Sequence, residues 1–216
     1  MKPDLQIKEK IDGIFPLIAE IDFNVSTLEQ FYGNLSANEL SMFDKYQLLH
    51  MLRHSLWNIS MLDLCKLFIE NENYSFNCLI NIIVNNYSKV TFKKGISIKD
   101  LRELNEKTKP YEGYIQNIKD VRDVKIAHKD NKSLFNTVML HQLRALIDLA
   151  QTIFDPINNA LYDSHVIWNF KNDTKEISMI KNLAKYESLR KIVSRAEISK
   201  NNHIATIDLI KIIRNQ

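Results

Sequence analysis

Ser36-Ala37-Asn38-Glu39-Leu40-Ser41-Met42-Phe43 opens a run over residues 36–70 that contains neither glycine nor proline. A serine followed three residues later by glutamate is a capping box: the hydroxyl accepts the third amide of a helix, and the carboxylate reaches back to the serine amide. Phe43, Leu49, Leu52, Leu56, Ile59, Leu64 and Phe68 then recur at mostly helical spacing, with Trp57 and Met61 widening the stripe. The pattern predicts one long amphipathic helix over about 37–70, ended by the polar break Asn71-Glu72-Asn73.

The rest of the chain reads the same way. Leu5, Ile7, Ile11, Ile14, Phe15, Ile18 and Ile21 predict a helix over about 5–21, bent or split near Gly13 and Pro16. Ser26-Thr27-Leu28-Glu29 has the form of a further cap, and a shorter helix is expected over about 76–87. Lys93-Lys94-Gly95 marks a loop, and Ser97-Ile98-Lys99-Asp100 caps a long helix to about 129, with a kink at Pro110 and Gly113. After a turn at 130–133, Val138, Leu140, Leu143, Leu146, Ile147, Leu149 and Ile153 supply the buried side of a helix over about 136–154. That helix continues past Pro156 to about 162, and another is expected over about 174–193. The Ile-rich stretch 203–214 fits helix or strand.

Composition agrees. Apolar residues make up 45% and charged residues 25%, with only 4 Gly and 4 Pro, too few for a fold built on many tight turns. The expected fold is all-α: a bundle of about four core helices over 37–162, an N-terminal helical segment over 1–36, and a C-terminal appendage over 163–216. No apolar run reaches the roughly 18 residues of a membrane span. The first residues lack a signal-peptide core, so a cytoplasmic protein with no membrane partner is expected. Cys65 and Cys78 sit in apolar helical patterns and read as small buried hydrophobes. The net charge of +3 is too mild to announce a nucleic-acid partner.

Chemistry concentrates in Val121-Arg122-Asp123-Val124-Lys125-Ile126-Ala127-His128-Lys129-Asp130, at the end of a core helix. A histidine titrates near neutrality and can take or give a proton. An arginine stays charged and presents a planar fork suited to phosphate oxygens. Between 119 and 132 the bases Lys119, Arg122, Lys125, Lys129 and Lys132 outnumber the acids Asp120, Asp123 and Asp130. A solvated helix end with a His near its C-terminus has the same composition, so charge alone does not separate site from surface.

Around these residues the chain resembles the HEPN superfamily of small all-helical nucleotide-binding and RNase domains, and within it the abortive-infection type. There, an arginine followed by a polar residue lies four to six residues before a histidine near the junction of late core helices. Arg122, Asp123 and His128 match that pattern, and the histidine follows an alanine as is common in that type. A second point of likeness is the phrase Leu62-Asp63-Leu64-Cys65-Lys66-Leu67-Phe68 followed, after a polar break, by Asn73-Tyr74-Ser75-Phe76-Asn77-Cys78-Leu79. The resemblance covers about 37–162. It implies a metal-independent endoribonuclease acting as a toxin or in antiphage defence, with RNA as substrate and no cofactor. It also implies a homodimer whose two motifs share one cleft, and leaves room for an antitoxin partner. His128 would move the proton and Arg122 would bind the scissile phosphate. Asp123 either orients Arg122, holds its charge in check, or is simply solvated. The rival reading is a non-catalytic helical module that binds nucleotide, RNA or a protein partner.

Other candidates are weaker. His50 and His54 lie four apart on one helix, a spacing suited to a metal, but no third ligand follows in register. His141 and Arg144 read as a polar edge or part of a dimer contact. Nothing marks Cys65 as a nucleophile, Lys125 and Lys129 read first as solvated lysines, and no glycine-rich phosphate loop is present.

Overall fold

The computed structural model describes residues 2–127, 138–168 and 175–199. Every regular element among them is helical: α1 (Pro3–Asn34), α2 (Ala37–Leu40), α3 (Met42–Lys45), α4 (Gln47–Phe68), α5 (Phe76–Asn85), α6 (Ile98–Glu106), α7 (Glu112–Val121), α8 (Leu140–Tyr162) and α9 (Lys175–Ser199). Short 3-10 turns occupy Tyr87–Lys89 and Lys109–Tyr111. The all-α bundle expected from the sequence is what the chain forms. The expected turn at 130–133 and the stretch 203–214 lie outside the described residues.

The chain divides into two compact units, Met1–Leu28 with His54–Lys171, and Glu29–Arg53 with Asn172–Gln216. In the first, Ile7, Ile14, Ile18, Ile21 and Val25 of α1 pack in one core with Leu64 and Leu67 of α4, Leu79 and Ile83 of α5, and Ile118 of α7. The buried face of α8, from Leu143 and Leu146 to Ile153, Phe154 and Ile157, completes it. Each such side chain contributes about 1.5–3 kcal/mol on leaving water. A partly buried ion pair borders this core: Arg144 of α8 donates from Nη1 to the buried Asp22 of α1 at 2.5 Å and from Nη2 to Ser26 at 2.8 Å. Arg144, expected at a polar edge, thus ties α8 to α1, while His141 meets the Tyr114 ring edge-on at 6.2 Å.

In the second unit, Phe31 and Phe43 stack as tilted rings 5.0 Å apart. Tyr46 donates its hydroxyl to the buried Glu187 of α9 at 2.6 Å. That hydrogen bond holds the Glu187 carboxyl below its ordinary range, and Arg190 adds to the effect.

Several elements differ from expectation for identifiable reasons. The helix expected over 37–70 is three helices. The Ser36 cap forms as predicted, with Ser36 and Glu39 exchanging both bonds. Ser41 then turns its hydroxyl onto the Asn38 carbonyl at 2.7 Å, and Tyr46 adopts an extended backbone that breaks the ladder. Ser26 and Thr27 open no helix, because α1 runs through them. Their hydroxyls bond back to Asp22 and to the Phe23 carbonyl, and the burial of Val25 and Leu28 outweighs the local cap. Pro16 likewise sits inside an uninterrupted α1. The helix expected over 98–129 is broken, with the 3-10 turn at Pro110 separating α6 from α7. The Ser97 cap forms as predicted. The helix expected from 136 begins at Leu140, where the Gln142 side chain accepts the Met139 amide at 2.9 Å.

Gly13 is required by packing. A Cβ there would fall 2.6 Å from Cδ1 and 2.9 Å from Cζ of Tyr74, and closer still to Cε1. In a free helix interior, Gly→Ala gains up to about 1 kcal/mol. Here the sign is expected to reverse, with Gly13→Ala costing about 1–3 kcal/mol as the Tyr74 ring is forced aside. Urea denaturation reads the difference, and a stabilised variant would show that the Tyr74 ring yields without cost.

Candidate active site

α7 ends at Val121, and the chain continues through Arg122–Ala127 as a π-helical turn, a wide i→i+5 spacing that recurs at functional sites. A regular α-helix would set positions 122 and 128 about 120° apart around the axis. The π-turn replaces that regular spacing on the approach to His128. His128 and Lys129 themselves lie outside the described residues, as does the Lys125 side chain.

Arg122 is half-buried and held by two carboxylates. Its Nε donates to Asp123 Oδ1 at 2.8 Å, and its Nη1 donates to Glu72 Oε1 at 2.9 Å. Burial opposes the positive charge, but the hydrogen bond to Asp123 and the nearby anions outweigh it and leave the guanidinium pKa above its ordinary value. The guanidinium is thus engaged by carboxylates at two of its three nitrogens. Asp123, which the sequence paired with Arg122, does meet it.

Glu72 was not foreseen. It stands in the turn between α4 and α5, where the sequence shows only the polar break Asn71-Glu72-Asn73. Fifty residues separate it from Arg122, and no spacing rule reaches that far. The turn is tied at several points: the Glu72 amide donates to Ile69 O at 3.1 Å, and the Ser75 amide donates to Glu72 O at 3.2 Å. The Ser75 hydroxyl caps α5 by accepting the Cys78 amide at 3.2 Å. From α1, the buried Lys10 donates to the Asn73 carbonyl at 2.9 Å and to its side-chain oxygen, and its ammonium lies 5.6 Å from the Tyr74 ring centroid. Beside the turn, Gly13, Leu17, Lys66, Glu72, Asn73 and Tyr74 line a groove of about 370 Å³. Lys66, at its edge, pairs with the buried Asp63 at 2.7 Å.

Cys65 of α4 belongs to the same neighbourhood. Burial pushes its thiol up to about 12, and the charges of Arg122, Asp123, Glu72 and Lys119 act on it more weakly. A thiol with that pKa is protonated at neutral pH and is no nucleophile. His50 and His54 are exposed on α4. No group of three or more His, Cys, Asp or Glu side chains is placed to hold a metal among the described residues. No helix among them is long and apolar enough to cross a membrane.

The HEPN family model described as AbiU2 matches residues 31–178, more than two thirds of the chain, and the match includes Glu72, Arg122, Asp123 and His128. The chain belongs to the AbiU2 family of HEPN domains. No curated protein and no solved structure gave a match.

Proposed function

We propose that this protein is a metal-independent endoribonuclease that serves in abortive infection, as a toxin or an antiphage-defence factor. The observation that carries the reading is the Arg122 guanidinium, fixed by Asp123 and Glu72 in a π-turn that leads directly to His128. RNA supplies its own nucleophile. His128 takes the proton from a ribose 2′-hydroxyl, the 2′-oxygen bonds to phosphorus, and the bond from phosphorus to the 5′-oxygen breaks. A proton returned to that 5′-oxygen completes the step and leaves a 2′,3′-cyclic phosphate. Arg122 stabilises the charge that builds on the non-bridging oxygens.

The two proton transfers, removal and return, suit two histidines facing one cleft, which two copies of the chain related by two-fold symmetry would provide. Exposed apolar side chains on α4, among them Leu48 and Met51, are consistent with a contact to a second copy. In this reading an antitoxin would act by covering the cleft.

The reading is tested by incubating the protein with total RNA in EDTA. Cleavage is expected to persist, to leave cyclic phosphate ends, and to spare a substrate whose 2′-hydroxyl is replaced by hydrogen. Cleavage abolished by EDTA, or cleavage of the 2′-deoxy substrate, would overturn it. Binding of RNA without cleavage would favour the non-catalytic helical module.

A further inference from the structure

We propose that Glu72 is a positioning residue for Arg122, and that Lys10 acts one step further back by holding the turn that carries Glu72. The inference rests on the ribonuclease reading for its kinetic meaning. Ion pairs that solvent still reaches contribute little to stability, and this one has side-chain exposures of 22% for Arg122 and 38% for Glu72. Stability therefore does not account for the pair, whereas orientation does. Asp123 engages the guanidinium at Nε and Glu72 engages it at Nη1, so the two bonds together fix both the position and the plane of the fork. An arginine left free would have to be ordered at the moment the phosphate reacts.

Lys10 shows how firmly the turn is held. It is 7% exposed. Burying an ammonium is costly unless it is well bonded, and among the described residues its partners are neutral: the two oxygens of Asn73 and the Tyr74 ring. Asn73 is the next residue after Glu72. A buried cation in α1 is thus committed to fixing the backbone that presents the carboxylate.

The test compares Glu72→Ala, Glu72→Gln and Lys10→Met, each in the full chain, by steady-state kinetics on RNA in EDTA. It also follows the Arg122 guanidinium NH2 resonances, which are resolved when Nη1 is held and averaged when it rotates. Glu72→Ala is expected to lower kcat about ten-fold with KM changed less than about two-fold, since the lost bond orients the transition-state contact. Glu72→Gln keeps an oxygen acceptor for Nη1 and is expected to stay within about three-fold of wild type. Lys10→Met is expected to fall between the two. Unchanged kcat in Glu72→Ala, or Glu72→Gln as impaired as Glu72→Ala, would overturn the proposal. Should the wild-type protein cleave no RNA, the ribonuclease reading falls and the resonances decide alone. Resolved signals that survive in Glu72→Ala refute the positioning role, and signals lost there but regained in Glu72→Gln uphold it.

Discussion

Arg122→Ala is expected to lower the cleavage rate by about 10²–10³-fold, the usual loss when one preorganised donor to a developing oxyanion is removed. The effect arises in the chemical step. In the resting protein the guanidinium already stands between Asp123 and Glu72, so on the proposed mechanism its interaction with phosphate is expected to strengthen as charge accumulates. Arg122→Lys separates charge from geometry. A lysine keeps the cation but cannot reach both carboxylates from one planar fork, so it is expected to recover only a small part of the rate. His128→Ala should fall at least as far, by about 10²–10⁴-fold, because proton transfer is then lost. Stability should hardly move in Arg122→Ala, since the two pairs it breaks are partly solvated and together contribute about 1 kcal/mol or less. Initial rates on a defined RNA, with thermal midpoints measured alongside, separate these effects. An Arg122→Ala protein that cleaves at the wild-type rate would remove Arg122 from the mechanism.

How much of this was readable from the residues depends on how local the cause is. The caps at Ser36 and Ser97 were legible because a capping box is complete within four residues, and both form. Ser26-Thr27 has an equally good local pattern and opens no helix, because Val25 and Leu28 lie in the core and their burial keeps α1 continuous. The breaks at Ser41 and Tyr46 could not be read from residues 36–70. The partner of Tyr46 is Glu187, 141 residues away, and no periodicity in the run announces it. The site divides in the same manner. Arg122 and Asp123 are neighbours, so their pairing is visible in the sequence. Glu72, in an interhelical turn, reaches Arg122, and Lys10 of α1 reaches that turn at Asn73, only through the packing of α1, α4 and α7. Asn71-Glu72-Asn73 looked like a breaker because a breaker and a site turn use the same residue types. The π-turn at Arg122–Ala127 left no sequence signal that the α pattern did not already explain.

The largest loss of stability is expected from Phe76→Ala, about 3–5 kcal/mol, and it falls just behind the site. Phe76 is 1% exposed, and its ring sits 5.6 Å from that of Phe68 at a tilt of 52°. It joins the last turn of α4 to the first turn of α5, across the turn that carries Glu72. Two features limit how far the cavity could collapse. The backbone before Phe76 is pinned by Ser75, whose hydroxyl donates to the Glu70 carbonyl at 3.2 Å while accepting the Cys78 amide. Leu64, Leu67, Leu79 and Ile80 are buried in the same core. A chain of this size loses about 2–4 °C of Tm per kcal/mol, so a fall of about 6–20 °C is expected. Phe76→Leu leaves a smaller void and should cost less than half as much. Urea denaturation of the three proteins gives the ordering, and a Phe76→Ala cost below about 1 kcal/mol would show that the joint between α4 and α5 collapses freely. That cavity would open between the two helix ends that flank the Glu72 turn. Folded Phe76→Ala protein should therefore also cleave more slowly than its folded fraction accounts for, with Phe76→Leu closer to wild type.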